Sequence, residues 1–176
     1  KNSLLNKNKL QKNNLFESAD IILLSTRYAD IEYLQIDIDS IIELNKISKL
    51  NKKIFIISGN APVFFSGGSD PVSFILSNKN FNEKNKINLF LYSLFEKNSF
   101  IINDIIKKFA LDSNILFLDK FNYTCNNKNN ECFGITDTNQ KVYFDGEHYT
   151  LAGSNFLNKK LDLQFLNILF NSVYKE

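Results

Sequence analysis

The chain has 176 residues, 44% of them apolar, and its 21 basic and 19 acidic residues give a net charge of +2. That length and apolar content suit one α/β core and leave too little for two domains. The lysines are scattered rather than clustered, which excludes a nucleic-acid footprint, and no stretch approaches the roughly 20 apolar residues of a membrane span. No secretory leader is visible. A chain that starts at Lys1 and contains no Met is expected to be a processed chain, an excised domain or a fragment.

Residues 1–14 are rich in Lys and Asn and are expected to be frayed or loosely helical. Ala19-Asp20-Ile21-Ile22-Leu23-Leu24-Ser25 reads as a buried parallel strand ending at Thr26-Arg27-Tyr28. Over 31–50, apolar positions at Leu34, Ile38, Ile41, Ile42 and Ile47 predict an amphipathic helix. A second buried strand, Lys53-Ile54-Phe55-Ile56-Ile57-Ser58, breaks at Gly59-Asn60-Ala61-Pro62. Residues 63–84, with Gly67-Gly68 and Pro71, read as a loop excursion. One helical pattern covers 86–110, through Leu89, Leu91, Leu94, Phe95, Ile102, Ile105, Ile106 and Phe109. Asn114-Ile115-Leu116-Phe117-Leu118-Asp119 is a third strand. A cysteine loop and a short piece at Lys141-Val142-Tyr143-Phe144 follow, and a last helix covers 151–174 with Thr150 as its N-cap. This alternation predicts a parallel sheet flanked by helices. Ligands of such sheets bind at the carboxyl ends of the strands, so Arg27, Asn60, Asp145 and His148 are expected on one rim.

His148 is the only histidine, the side chain best placed to move protons near neutral pH. Asp145 lies three positions earlier and can hold the imidazole in one tautomer, as the third member of a hydrolase triad does. A lone histidine is more often structural, so this pair needs support from the rest of the chain. Arg27 is the only arginine. Where lysine is the default base, it suggests that a planar, forked donor was needed; an ordinary surface arginine is the alternative. Cys125 and Cys132 are the only cysteines. With one distant histidine they make a poor zinc set, so no metal is expected. A short loop closed by a disulfide fits better than two free thiols and implies an oxidising compartment. Ser58 follows a strand and sits on the expected rim. Ser69, in Gly67-Gly68-Ser69-Asp70, does not follow a strand, which disfavours it as a nucleophile. Asn60 is read as a turn residue before an oxyanion donor. Asp70 and Asp119 show no partner and read as loop or strand-end residues.

Asp145-Gly146-Glu147-His148-Tyr149-Thr150-Leu151-Ala152-Gly153 resembles the last block of SGNH hydrolases, Asp-x-x-His-(Leu/Tyr)-(Ser/Thr)-x-x-Gly. Three further pieces resemble the SGNH domain fused to acyltransferase-3 membrane proteins. They are the apolar strand ending in Arg27-Tyr28, the strand and proline turn from Lys53 to Phe64, and the pair Cys125 and Cys132 shortly before the Asp-x-x-His block. The resemblance runs over about residues 19–172.

It implies a three-layer αβα fold around a parallel, flavodoxin-like sheet, here lacking its first strand. It also implies acyl-ester chemistry on a glycan outside the cytoplasm, with His148 as general base and Asp145 orienting it. The expected partners are a glycan acceptor, such as lipopolysaccharide O-antigen, and an acyl-donating membrane domain upstream. The domain itself would need no cofactor, an acyl donor such as acetyl-CoA serving the full-length protein. The family's nucleophile lies in a Gly-Asp-Ser block that this chain does not contain, so the serine is expected upstream of Lys1 and this chain alone is expected to be inactive. Ordinary members carry Gly-x-Asn-Asp where this chain reads Ser25-Thr26-Arg27-Tyr28. Arg27 is then the expected oxyanion or substrate donor, unless a neighbouring carboxylate ties it up. A stand-alone carbohydrate esterase and a non-catalytic glycan-binding or structural domain are the competing readings.

Overall fold

The computed structural model describes residues 13–28, 31–65, 69–79, 81 and 83–173. The expectation for the amino-terminal stretch lies outside these residues except at Asn13 and Asn14. Asn13 caps the first described helix, α1 (Asn14–Ser18), by accepting from Leu15 N.

Three parallel strands form the sheet: β1 (Ile21–Leu24), β2 (Ile54–Ser58) and β3 (Leu116–Leu118), in the order β1-β2-β3. Ile21 pairs with Ile54, and Ile56 with Leu116, so all carboxyl ends share one rim. β2 is central, and Phe55 and Ile57 point to one face. There they meet α2 (Leu34–Leu50) through Ile41 and Leu44, and α5 (Lys97–Asp112) through Ile102, Ile106 and Ala110. On this face the i, i+3, i+4 apolar spacing of both helices is satisfied against alternate strand residues. α7 (Leu151–Val173) contacts β3 as the last helix. The expected α/β class and parallel, strand–helix alternation therefore hold.

Two readings are corrected. Residues 63–84 are not one loop, because α3 (Pro71–Lys79) lies within them. Asp70 caps it by accepting from Ser73 N at 2.7 Å, and Pro71 occupies the first helical position. Nor is 86–110 one helix: it divides into α4 (Lys84–Ser93) and α5. Between them Phe95 bridges Phe64, Phe65 N donates to Leu94 O at 2.8 Å, and Glu96 N donates to Val63 O at 2.7 Å. These tertiary hydrogen bonds replace helical ones, although the apolar spacing runs through the break.

Strand ends are also shorter than the apolar runs. Asn114 closes α5 in a left-handed conformation at φ 51°, so β3 begins only at Leu116. Asp119 is not an unpartnered strand end but caps α6 (Lys120–Thr124) through Asn122 N. The cysteine loop is a small hairpin of β4 (Cys125–Asn126) and β5 (Glu131–Cys132), in which Cys125 and Cys132 face each other and form the expected disulfide. The piece at 141–144 makes only isolated bridges, Lys141 with Ile135 and Tyr143 with Tyr149.

Candidate active site

The Asp-x-x-His segment leads into α7. Thr150 is its N-cap, its Oγ1 accepting from Gly153 N at 2.9 Å. A Cβ on Gly153 would strike the Val142 carbonyl, so only glycine lets the helix start this close to the preceding chain. Upstream, Phe144 N donates to His148 O at 3.1 Å, and Thr150 N to Val142 O at 2.9 Å. Residues 144–148 thus form a short loop closed by backbone pairing. Its tip rests on the segment after β2, where Phe64 N donates to Gly146 O at 2.9 Å. A side chain on Gly146 would run into the Phe64 carbonyl.

Asp145 organises this loop. Its Oδ1 accepts from Glu147 N at 2.8 Å and from His148 N at 2.7 Å. Its Oδ2 lies 2.8 Å from His148 Nδ1. The Glu147 amide, the His148 ring and the His148 amide together hold the carboxyl down at about 2, below its ordinary 3.8. An ionised Asp145 can only accept, so Nδ1 carries the proton and Nε2 is left as the basic nitrogen. Phe144 stacks on the imidazole, with centroids 5.5 Å apart and planes 18° apart. The His148 side chain is 67% exposed, so Nε2 is open to a reactant.

His148 lines a cleft of about 320 Å³ over the carboxyl ends of the strands. Ser25, Arg27, Asn60, Lys120 and Glu147 also line it. The structure therefore brings Arg27, Asn60 and His148 to one rim, with Asp145 directly behind His148. Arg27 Nη1 pairs with Glu147 Oε2 at 2.6 Å, the carboxylate-bound alternative left open for it. Asn60 is buried: its Oδ1 accepts from Tyr28 N and its Nδ2 donates to Tyr28 O, both at 2.9 Å. It therefore ties the loop after β1 to the loop after β2. Lys120 Nζ donates to Ser25 Oγ at 2.8 Å, and burial pushes its ammonium below the usual lysine range.

Neither in-chain serine weighed as a nucleophile is suited to that role here. Ser58 is fully buried beneath the rim. Ser69 is exposed at the turn into α3, away from the residues lining the cleft. Asp70 and Asp119 are structural: Asp70 pairs with Lys141 at 3.0 Å, and Asp119 with Lys107 at 2.8 Å. Among the described residues no group of three or more His, Cys, Asp or Glu could hold a metal, and no helix is long and apolar enough to cross a membrane. Sequence reasoning missed Glu147 and Lys120. Glu147 could have been found by its adjacency to His148; Lys120, two residues past β3, carries no signal of its own.

A family model described as an SGNH domain fused to AT3 domains matches residues 5–162. Among solved structures, the chain is similar to the periplasmic domain of a Salmonella serovar Paratyphi A lipopolysaccharide acetyltransferase. The two share 15% identity and a TM-score of 0.69, over 92% of this chain and 62% of that one. It is also similar to a Bacteroides fragilis protein classed as a candidate acylhydrolase, at 15% identity and a TM-score of 0.53, over 90% of this chain and 66% of that one. At such identities the likeness shows the fold, and the chain spans about three fifths of the Salmonella domain. No curated protein matches.

Proposed function

The chain belongs to the SGNH domain family of the kind fused to AT3 domains, and from that premise we propose that it is part of an extracytoplasmic O-acyltransferase. Its acyl-related chemistry is that of the family; the acetyl group and an envelope polysaccharide acceptor, such as lipopolysaccharide O-antigen, are our reading. The observation that carries it is the Asp145–His148 pair, 2.8 Å apart, on the rim of the cleft.

His148 Nε2 takes the proton of a serine hydroxyl as that oxygen attacks the acyl carbonyl. The tetrahedral intermediate collapses, and the leaving group takes the proton back from the imidazolium. The acyl-serine is then attacked by a sugar hydroxyl, again deprotonated by His148, and the new ester leaves. Asp145 stays ionised throughout and stabilises the imidazolium.

The serine is proposed to arrive on a strand added at β1. In support, β1 is an all-apolar run yet pairs only with β2 among the described residues, and Ile21 and Leu23 are 36% and 46% exposed. Strands of a parallel sheet are normally covered on both faces. In a flavodoxin-like order the first strand lies beside the third, which fits the free edge of β1. The disulfide supports an oxidising, extracytoplasmic setting. Acetyl-CoA is the expected donor to an upstream membrane domain, with no cofactor in this one.

Replacing the sugar by water turns the same steps into an esterase, a reading the likeness to the candidate acylhydrolase favours. His148→Ala in the full-length protein is expected to abolish both glycan acylation and ester hydrolysis while leaving the fold intact. Retained activity would sink the assignment. Acylated glycan in the wild type, with slow release of free acid, selects the transferase over the esterase.

A further inference from the structure

Lys120 opens α6 two residues after β3, whereas Ser25 follows β1, and β2 lies between those two strands. The lysine chain must therefore cross the carboxyl end of β2 to bring Nζ within 2.8 Å of Ser25 Oγ. That places an ammonium in the lining of the cleft that His148 also lines. The other charges there are arranged differently. Arg27 is compensated by Glu147 at 2.6 Å. Asp119, next to Lys120 in sequence, is engaged by Lys107 at 2.8 Å. Glu96, at the start of α5, also lines the cleft. Yet among the described residues no carboxylate lies within ion-pair distance of Lys120 Nζ. Its hydrogen bond goes to a neutral hydroxyl, which leaves two N–H donors without a partner among the described residues. The depressed ammonium reflects the cost of holding this charge half-buried without a counter-ion.

A partly desolvated cation of this kind is costly to the folded chain unless something bound supplies the missing anion. In acyl transfer the charge that appears is the oxyanion of the tetrahedral intermediate, and donors fixed in advance stabilise it most. We propose that Lys120, held in place by Ser25, is the donor that stabilises this oxyanion, in the role first expected of Arg27. The inference rests on the acyl-transfer reading above. As the serine oxygen bonds to the acyl carbon, the carbonyl π pair moves onto oxygen and the hydroxyl proton goes to His148. Lys120 keeps its own protons and donates hydrogen bonds to the new O⁻. Collapse restores the carbonyl, breaks the bond to the leaving oxygen and returns the proton from His148 to it.

The test is the rate at which a small fluorophosphonate labels the full-length protein. The probe carries no sugar, so a residue that only recognises the glycan leaves its rate unchanged. Its phosphoryl oxygen occupies the oxyanion position in the tetrahedral adduct. Lys120→Met is expected to slow labelling by roughly 100-fold, the usual effect of losing one such donor. Lys120→Arg keeps a cation and is expected to recover most of that loss. Wild-type rates in Lys120→Met overturn the inference, and so do equal losses in the Met and Arg variants. An unreactive wild type, or His148→Ala labelled at the wild-type rate, overturns the acyl-transfer reading instead.

Discussion

Asp145→Asn separates the two jobs that this side chain performs. The substitution is isosteric, and the remaining Oδ1 can still accept from Glu147 N and His148 N, at 2.8 and 2.7 Å in the native loop. The turn is therefore expected to survive. What changes is the atom facing His148 Nδ1 at 2.8 Å, where an oxygen is replaced by an amide donor. Two donors cannot face each other, so the imidazole must move its proton to Nε2, and the base becomes a donor. A triad that loses its carboxylate in this way drops by roughly 10⁴ in rate. Acyl transfer by the full-length variant is expected to fall by that factor, with the melting temperature within about 2–4 °C of wild type. Nitrogen-15 spectra of the imidazole report the tautomer directly. Activity within tenfold of wild type, or a proton still on Nδ1, would refute the reasoning. The wild type offers a companion titration. The Asp145 carboxyl sits at about 2 against an ordinary 3.8. A depressed carboxyl contributes stability above its unfolded value, and that contribution is lost as pH falls through the folded one. The amide shifts of Glu147 and His148 should therefore titrate with a midpoint near 2; a midpoint at the ordinary value would mean these hydrogen bonds do not form.

Gly146→Ala puts a methyl group against the Phe64 carbonyl, so the loop must lift. Activity is expected to fall at least about tenfold, with about 1–3 kcal/mol of destabilisation in urea; unchanged activity would show that the loop does not depend on this docking. Asn60→Ala strips both partners from the buried backbone of Tyr28. It is expected to cost about 2–4 kcal/mol, and a urea midpoint equal to wild type would refute the clamp. Cys125→Ser opens a loop with a sequence separation of 7. Loop-closure entropy predicts a loss of about 2–3 kcal/mol, visible against oxidised wild type and absent against reduced wild type. Oxidised and reduced wild type melting together would show that the disulfide contributes nothing.

The strands and long helices were legible because their signal is local. Ile54 to Ile57 is an unbroken apolar run, and Ile41, Leu44 and Ile47 fall on one helical face. What could not be read was where periodicity is overruled from a distance. Leu94 and Phe95 continue an apolar helical pattern, but the chain is extended at Glu96 because Val63 and Phe65 supply hydrogen-bond partners to Glu96 and Leu94 from some 30 residues away. α3 had a readable start in Asp70-Pro71, an N-cap followed by proline. The nearby glycines and the short apolar stretch outweighed it.

The site divides in the same way. Asp145 and His148 were readable because the turn that joins them is three residues long and the carboxylate needs no other element. Arg27 was readable as an unusual residue but not as a paired one, because Glu147 lies 120 positions away and only the fold brings it to 2.6 Å. Lys120 carried no signal at all among 21 basic residues. Its distinction is what it lacks, a carboxylate within reach, and that depends on where every other charge on the rim has gone. A composition that uses lysine almost everywhere hides one that lines the cleft half-buried with no carboxylate in reach among the described residues. Pairing Arg27 with Glu147 also bears on the proposed base. It fastens the residue beside His148 to the loop after β1, while Gly146 fastens the loop tip to Phe64. Both side chains of the ion pair are about half exposed, so it adds little to stability. Its expected effect is on where His148 points, and so on the rate of the proposed reaction rather than on folding.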